Sequence, residues 1–364
     1  MQKIRTLIID DSALARRSLV ASLQPFPEIE VIGAAINCSA AQKMIDGLRP
    51  DVLTLDLEMP GMDGLTFLRW LMKERPIPVI VVSSLTTAGS EKALEALEAG
   101  ALDVLDKPNG PYSAYENGWM LAEKIKAAMT ARLIRPSRSA SPHHGVVVRD
   151  ATAEGMNGGS PRSIILMGAS TGGVEALKTV LTTLPTNLPG ICIVQHIPPY
   201  FSAAFANRLN AVCQLEVREA QNGDRVLPGT VLIAPGGYHL VLHWRGAGHT
   251  VELSEGPKIH YQRPAVDVLF RSAGRTGSAP DIIAVLLTGM GVDGAAGLLE
   301  LRNAGAATIV QNEETCVVFG MPREAIRLEA ADHILPLQTI PHKIKELCAR
   351  LSTKRKSPAK LSVD

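Results

Sequence analysis

Ser170 lies in Gly168-Ala169-Ser170-Thr171-Gly172, a G-x-S-x-G pattern between the apolar run SIILM and the helix-like VEAL. Glycines relieve the crowding of a tight strand-to-helix turn and leave the serine exposed at a sheet edge. The helix start beyond supplies amides and a positive dipole that favour a developing anion. A serine nucleophile needs a base. Of nine histidines, His196 alone ends the next apolar run, in ICIVQHIPP. His239, His243 and His333 have no comparable context. The base needs an orienting acid, and Asp293 is the carboxylate in the Gly-rich loop that ends IIAVLLTGMGVDGAAG. Taken singly, the elbow is a common turn, His196 an interface histidine and Asp293 a helix cap. Taken together, each follows an apolar strand and the three can meet at one sheet edge as a hydrolytic triad. The chain order Ser, His, Asp differs from the Ser, Asp, His of α/β-hydrolases. A dinucleotide site would need G-x-G-x-x-G and a later acid at a strand end. Here the loop is G-x-x-x-G-G, and the next strand ends in Gln195-His196.

A second group gathers in the first third of the chain. Asp10 and Asp11 end one apolar run, Asp56 a later one, Ser83 the next and Lys107, followed by Pro108, the last. Each taken alone is a cap or turn former. Placed at successive strand ends of a parallel sheet, they converge on one crevice. Three crowded carboxylates repel and call for a divalent cation. Mg²⁺ suits oxygen ligands and a phosphoryl partner. A lysine charge and a hydroxyl beside them suit a transferred phosphoryl group.

The elements that must place these groups are legible as alternating patterns. Strands are predicted at 5–9, 30–34, 52–56, 79–83 and 103–106, with helices at 12–24, 40–48, 65–74, 88–99 and 118–134. Five βα units in a row imply a parallel sheet with helices on both faces. Residues 135–162, rich in Ser, Pro, Gly and Ala, read as a flexible linker; the adjacent His143 and His144 read as part of that linker. From Ser163 a second α/β pattern begins. Its predicted strands are 163–167, 191–195, 282–287 and 308–311, and its predicted helices 175–182, 265–273, 295–304 and 341–351. Segments 231–234, 239–244 and 250–254 read as a small hairpin-like β insert. The end, 353–364, reads as a basic tail.

Length and composition agree with two domains. The 364 residues are 46% hydrophobic and 20% charged, enough apolar material for ordinary cores. A net charge of +1 gives no electrostatic case for nucleic acid. The five scattered cysteines include no CxxC pair and read as reduced thiols of a cytosolic protein. No signal peptide and no apolar run long enough for a membrane span is present.

The stretches LIIDDSALARR, DVLTLDLEMPGMDGL, PVIVVSS and DKP resemble the receiver domain of two-component response regulators over residues 3–130. The resemblance implies a (βα)5, flavodoxin-like domain with Asp56 as phosphoacceptor. Asp10, Asp11, Asp56 and the backbone carbonyl of Glu58 would hold Mg²⁺; Ser83 and Lys107 would sense the phosphoryl group. Many receivers carry an aromatic three residues before the lysine, where this chain has Val104. Switching by rotation of that aromatic is therefore not expected.

The stretches GASTGG, QHIPPYF, RPAVDVLF, LTGMGVDGAAG and QNEETCVVFGMPREA resemble the catalytic domain of the chemotaxis protein-glutamate methylesterases, which are also glutamine deamidases. The resemblance spans most of residues 163–330. It implies a mostly parallel α/β hydrolase domain over 163–352, behind a receiver over 1–134. It makes Ser170 the nucleophile, His196 the base and Asp293 the orienting acid, with backbone amides near Thr171 and Met290 as oxyanion donors. It further implies methyl-accepting chemotaxis receptors as substrate, a chemotaxis histidine kinase as phosphodonor, no cofactor for hydrolysis, and a cytoplasmic monomer recruited to receptor arrays. The rivals are a binding-only adaptor, against which the intact Ser170, His196 and Asp293 argue, and a DNA-binding regulator, which would need a helix-turn-helix and a basic face that are not visible.

Overall fold

The computed structural model describes residues 2–83, 87–107, 111–132 and 160–354. They fall into two compact units. Pro108, most of the predicted linker including His143 and His144, and the tail from 355 lie outside the described residues.

The first unit runs β1 (Ile4–Ile9), α1 (Ala13–Leu23), β2 (Ile29–Ala35), α2 (Cys38–Leu48), β3 (Val52–Leu55), α3 (Gly64–Glu74), β4 (Val79–Ser83), α4 (Thr87–Glu98), β5 (Asp103–Asp106) and α5 (Pro111–Ala128). The strands pair in the order β2-β1-β3-β4-β5, every pair parallel. All residues of β3 and β4 are buried, as a sheet covered on both faces requires. Polar side chains start the helices: Ser12, Asn37 and Asp63 accept from the N–H groups of Ala15, Ala40 and Thr66. The strand order reverses between β1 and β3, which opens a crevice at their carboxyl ends. The last helix begins at Pro111, earlier than the predicted 118, since proline is favoured in a first helical turn.

From residue 160 the chain runs β6 (Ile164–Ala169), α6 (Gly173–Leu181), β7 (Gly190–Gln195), α7 (Phe201–Val212), β8 (Glu216–Glu219), β9 (Thr230–Ile233), β10 (His239–Trp244), β11 (His249–Ser254), α8 (Val266–Gly274), β12 (Ile282–Leu286), α9 (Ala295–Asn303), β13 (Ala307–Gln311), α10 (Met321–Arg327), β14 (His333–Leu335) and α11 (Ile340–Lys354). Seven strands form one sheet in the order β14-β13-β12-β6-β7-β9-β8, with every pair parallel. The strands β10 and β11 form a separate antiparallel hairpin. The predicted insert is therefore smaller than expected, because the segment at 231–234 belongs to the main sheet beside β7. The strands β8 and β14, unread in the sequence, are the sheet's two edges. On one face α8 and α9 pack against the sheet: Val266, Phe270, Leu298 and Leu301 cluster with Leu166 and Leu286.

Candidate functional site

β6 is the centre of the seven-stranded sheet, flanked by β12 and β7. Ser170 follows β6, His196 follows β7 and Asp293 lies in the loop after β12. Three adjacent parallel strands thus deliver the three predicted residues to one sheet edge, at the point where the strand order reverses. All three are buried, at 5%, 9% and 2% exposure. The β6–β7 register ends at Ala169 opposite Gln195, and His196 N–H donates to the Ala169 carbonyl at 3.0 Å. Ser170 and His196 are therefore the next residues out on neighbouring strands. Ser170 N–H donates to the Thr288 carbonyl at 3.0 Å, and Thr288 Oγ1 donates to the Thr171 carbonyl at 3.0 Å, stitching the loops after β6 and β12 together.

The glycines of the elbow have separate uses. Gly172 takes φ 77°, a left-handed conformation that costs other residues more. A Cβ on Gly168 would lie 2.3 Å from Val266 Cγ1, so this glycine admits the start of α8. That approach matters because Val266 and Asp267 N–H donate to Asp293 Oδ2 and Oδ1 at 2.7 and 3.0 Å. Asp293 Oδ2 also stands 2.8 Å from His196 Nε2. With Nε2 engaged by the carboxylate, Nδ1 is the ring nitrogen left for the serine. Burial works against the Asp293 charge, but the His196 hydrogen bond and charge and the two N–H groups hold its pKa below the usual carboxylate value. Thr171 lies in the turn leading into α6, and the half-buried Met290 lies in the loop after β12.

Several supporting groups carry no local sequence signal. The buried Gln195 amide donates to the carbonyls of Ser170 and His196 at 2.9 and 3.1 Å. Gln311 Oε1 accepts from Thr288 N–H at 2.8 Å. Asp267 Oδ1 accepts from Gly297 N–H at 2.7 Å and so ties α8 to α9. Each lies within a motif quoted for the family, but its hydrogen-bond partners are distant in sequence. His239 accepts from Ala265 N–H with Nδ1 and reaches the Pro257 carbonyl with Nε2, which makes it structural, as its lack of motif context implied.

In the first unit Asp10 and Asp11 follow β1, Asp56 follows β3, Ser83 ends β4 and Lys107 follows β5. One carboxylate oxygen from each of Asp10, Asp11 and Asp56 falls within 4.8 Å of the others. Lys107 Nζ lies 2.7 Å from Asp56 Oδ2 and 2.8 Å from Asp10 Oδ2. Burial pushes the Asp56 carboxyl above its ordinary pKa despite Lys107 and the Glu58 N–H. Burial also opposes the Lys107 charge, but its bonds to Asp10 and Asp56 hold its pKa up. The Ser83 hydroxyl is buried without a hydrogen-bond partner among the described residues. Ser83 and Lys107 are held together by the Lys107 N–H, which donates to the Ser83 carbonyl at 3.0 Å. An all-oxygen acid cluster with one lysine suits Mg²⁺, and the orphan hydroxyl suits an added phosphoryl oxygen. Val104 is buried in β5.

Comparison with known proteins agrees. Residues 165–344 match the CheB methylesterase family, and residues 6–115 the response regulator receiver domain. The chain is 49% identical over 346 residues to a protein-glutamate methylesterase/protein-glutamine glutaminase of Syntrophus aciditrophicus, covering 94% of this chain and 99% of that protein. It is 48% identical over 350 residues to the protein of that name from Nitrosomonas europaea, covering 94% and 96%. The crystal structure of the Thermotoga maritima CheB methylesterase catalytic domain is similar with a TM-score of 0.50 and 42% identity, covering 51% of this chain and 98% of that one. No described helix is long and apolar enough to cross a membrane. With its parallel sheets, its converging strand ends and 49% identity to a relative over 94% of its length, the chain belongs to the CheB methylesterase family, with a response regulator receiver domain ahead of the catalytic domain.

Proposed function

We infer that the chain is a phosphorylation-activated protein-glutamate methylesterase and protein-glutamine glutaminase acting on chemotaxis receptors. The observation that carries this reading is the meeting of Ser170, His196 and Asp293 at adjacent strand ends, with Asp293 bound to His196 Nε2. His196 takes the Ser170 proton through Nδ1 as Oγ attacks a receptor γ-glutamyl methyl ester. Asp293 holds the imidazole and stabilises the imidazolium that forms. The backbone N–H groups of Thr171 and Met290 receive the oxyanion. The imidazolium returns its proton to the departing methoxide oxygen, methanol leaves, and a glutamyl-serine ester remains. Water then attacks that ester with His196 as base, releasing glutamate and restoring Ser170. The same steps on a glutamine release ammonia. This chain's residues suffice for the hydrolysis without a cofactor.

In the receiver, Asp56 accepts the phosphoryl group from a chemotaxis histidine kinase. Asp10, Asp11, Asp56 and the Glu58 carbonyl would hold Mg²⁺, which supplies charge neutralisation at the transferring phosphoryl group. Ser83 and Lys107 bind the phosphoryl oxygens. The receiver spans 1–134, a linker 135–162, the catalytic domain 163–352 and a tail 353–364. The protein works as a monomer in the cytoplasm at receptor arrays.

An active-site-directed fluorophosphonate tests the nucleophile. Mass spectrometry should find a single adduct on Ser170 in wild type and none in His196→Ala; an adduct elsewhere with Ser170 unmodified contradicts the assignment.

A further inference from the structure

Asp293 has a neighbourhood that the triad does not use. Asp267 is 1% exposed, and its Oδ2 has no hydrogen-bond partner among the described residues. His260 Nε2 stands 3.5 Å from that oxygen and Arg271 Nη2 3.8 Å. One ligand atom each from His260, Asp267 and Asp293 lies within 4.8 Å of the others. Two buried carboxylates thus lie beside an imidazole open to solvent. Burial, then the Asp293 charge, pushes the Asp267 carboxyl above its ordinary pKa, so the pair lacks full compensation.

The turn that presents His260 is costly. Ile259 and Gln262 exchange backbone hydrogen bonds of 3.0 and 2.8 Å around it. His260 and Tyr261, at φ 50° and 62°, are both left-handed. A two-residue turn of that kind favours Asn-Gly.

We propose that His260, Asp267 and Asp293 form a site for a divalent transition metal of the Zn²⁺ class, whose binding switches the hydrolase off. The donor set of one imidazole nitrogen and two carboxylate oxygens suits Zn²⁺. Tetrahedral Zn²⁺ with bonds of about 2.0–2.1 Å holds its ligand atoms about 3.3–3.4 Å apart, close to the His260–Asp267 separation of 3.5 Å. Water completes the coordination from the exposed side. The imidazole discriminates against Mg²⁺, which prefers oxygen, so the receiver's metal does not compete. A bound cation draws the charge of Asp293 away from His196 and weakens its hold on the base. The shut-off rests on the reading that Asp293 orients His196; the binding of metal does not.

The full-length protein, stripped with a chelator and freed of it, is titrated with zinc chloride in excess Mg²⁺, by calorimetry and in receptor demethylation. Wild type should take up one Zn²⁺ and lose demethylation by about tenfold or more. His260→Asn, whose new side chain tolerates the left-handed turn, and Asp267→Asn should each weaken Zn²⁺ binding by about tenfold or more, each demethylation response being read against the variant's own zinc-free rate. Ser170→Ala should bind Zn²⁺ like wild type. Binding that depends on His260 in a protein that demethylates nothing would count against the proposed function and for the metal site. No binding in excess Mg²⁺, equal affinity in wild type and His260→Asn, or full demethylation at saturating Zn²⁺ would each overturn the proposal.

Discussion

His196 Nε2 lies 2.8 Å from Asp293 Oδ2 across 97 residues of chain, and both side chains are almost fully buried. The contact exists because β6 separates β12 from β7 in the sheet, and because the start of α8 donates two backbone N–H groups to the same carboxylate. An asparagine there keeps one accepting oxygen for Val266 N–H and His196 Nε2, and only the Asp267 N–H loses its acceptor.

Asp293→Asn should therefore keep the fold and lower demethylation less than loss of Ser170 or His196 does. In a measured serine protease the acid's loss cost about 3 × 10⁴ in kcat against about 2 × 10⁶ for the nucleophile or base. A gap in the same direction, of about tenfold or more, is expected here. Steady-state kinetics of the three variants decide it: equal losses would require a larger role for the acid.

Gly173→Ala should lower activity and stability together. A Cβ there would lie 2.1 Å from Gln195 Oε1 and 2.7 Å from Ala169 Cβ. Gln195 would have to move, although its amide holds the carbonyls of Ser170 and His196. Overpacking of this kind costs about 1–3 kcal/mol, read as a lowered denaturation midpoint. An unchanged midpoint with wild-type turnover would show that Gln195 is dispensable.

Ser170, His196 and Asp293 were legible as a group because each follows an apolar run. The (βα)5 order of the first unit was legible for the same reason. The failures have physical causes. Segment 231–234 lies close in sequence to the hairpin strand β10, and so read as its partner; its true neighbours are β7 and β8, fixed by the crossover through α7. The helix α7, FSAAFANRLNAV, is rich in small residues, and β14 has only three residues. The supports at Gln195 and Asp267 work through hydrogen bonds to residues 25 and 30 positions away, which no local pattern reports.

Asp56→Asn should stabilise the receiver at neutral and higher pH when Mg²⁺ is absent. Burial raises the folded carboxyl above its ordinary value. The folded protein thus keeps a proton over a pH range where the unfolded chain has lost it. Ionisation as pH rises through that range costs stability, and asparagine carries no such cost. The variant's Tm should exceed that of wild type at pH 8, the difference shrinking toward zero as pH falls below the ordinary carboxylate value. Scanning calorimetry in chelator at both ends of the range checks it; a lower Tm for the variant at pH 8 would show that the Lys107 ion pair outweighs burial.

The receiver's control of the hydrolase has its own signature. Removing residues 1–134 should give a catalytic domain faster than the unphosphorylated full chain. A truncation no faster than that would rule out inhibition by the receiver.

The most direct measurement is methanol release from methyl-labelled chemotaxis receptors, with and without a small-molecule phosphodonor, by wild type, Ser170→Ala and Asp56→Asn. Wild type should release methanol and accelerate with phosphodonor. Asp56→Asn should hold its basal rate and ignore the phosphodonor, and Ser170→Ala should fall by about a thousandfold or more in both conditions. Near-normal release by Ser170→Ala, or a phosphodonor response that survives in Asp56→Asn, would contradict an Asp56-controlled serine hydrolase.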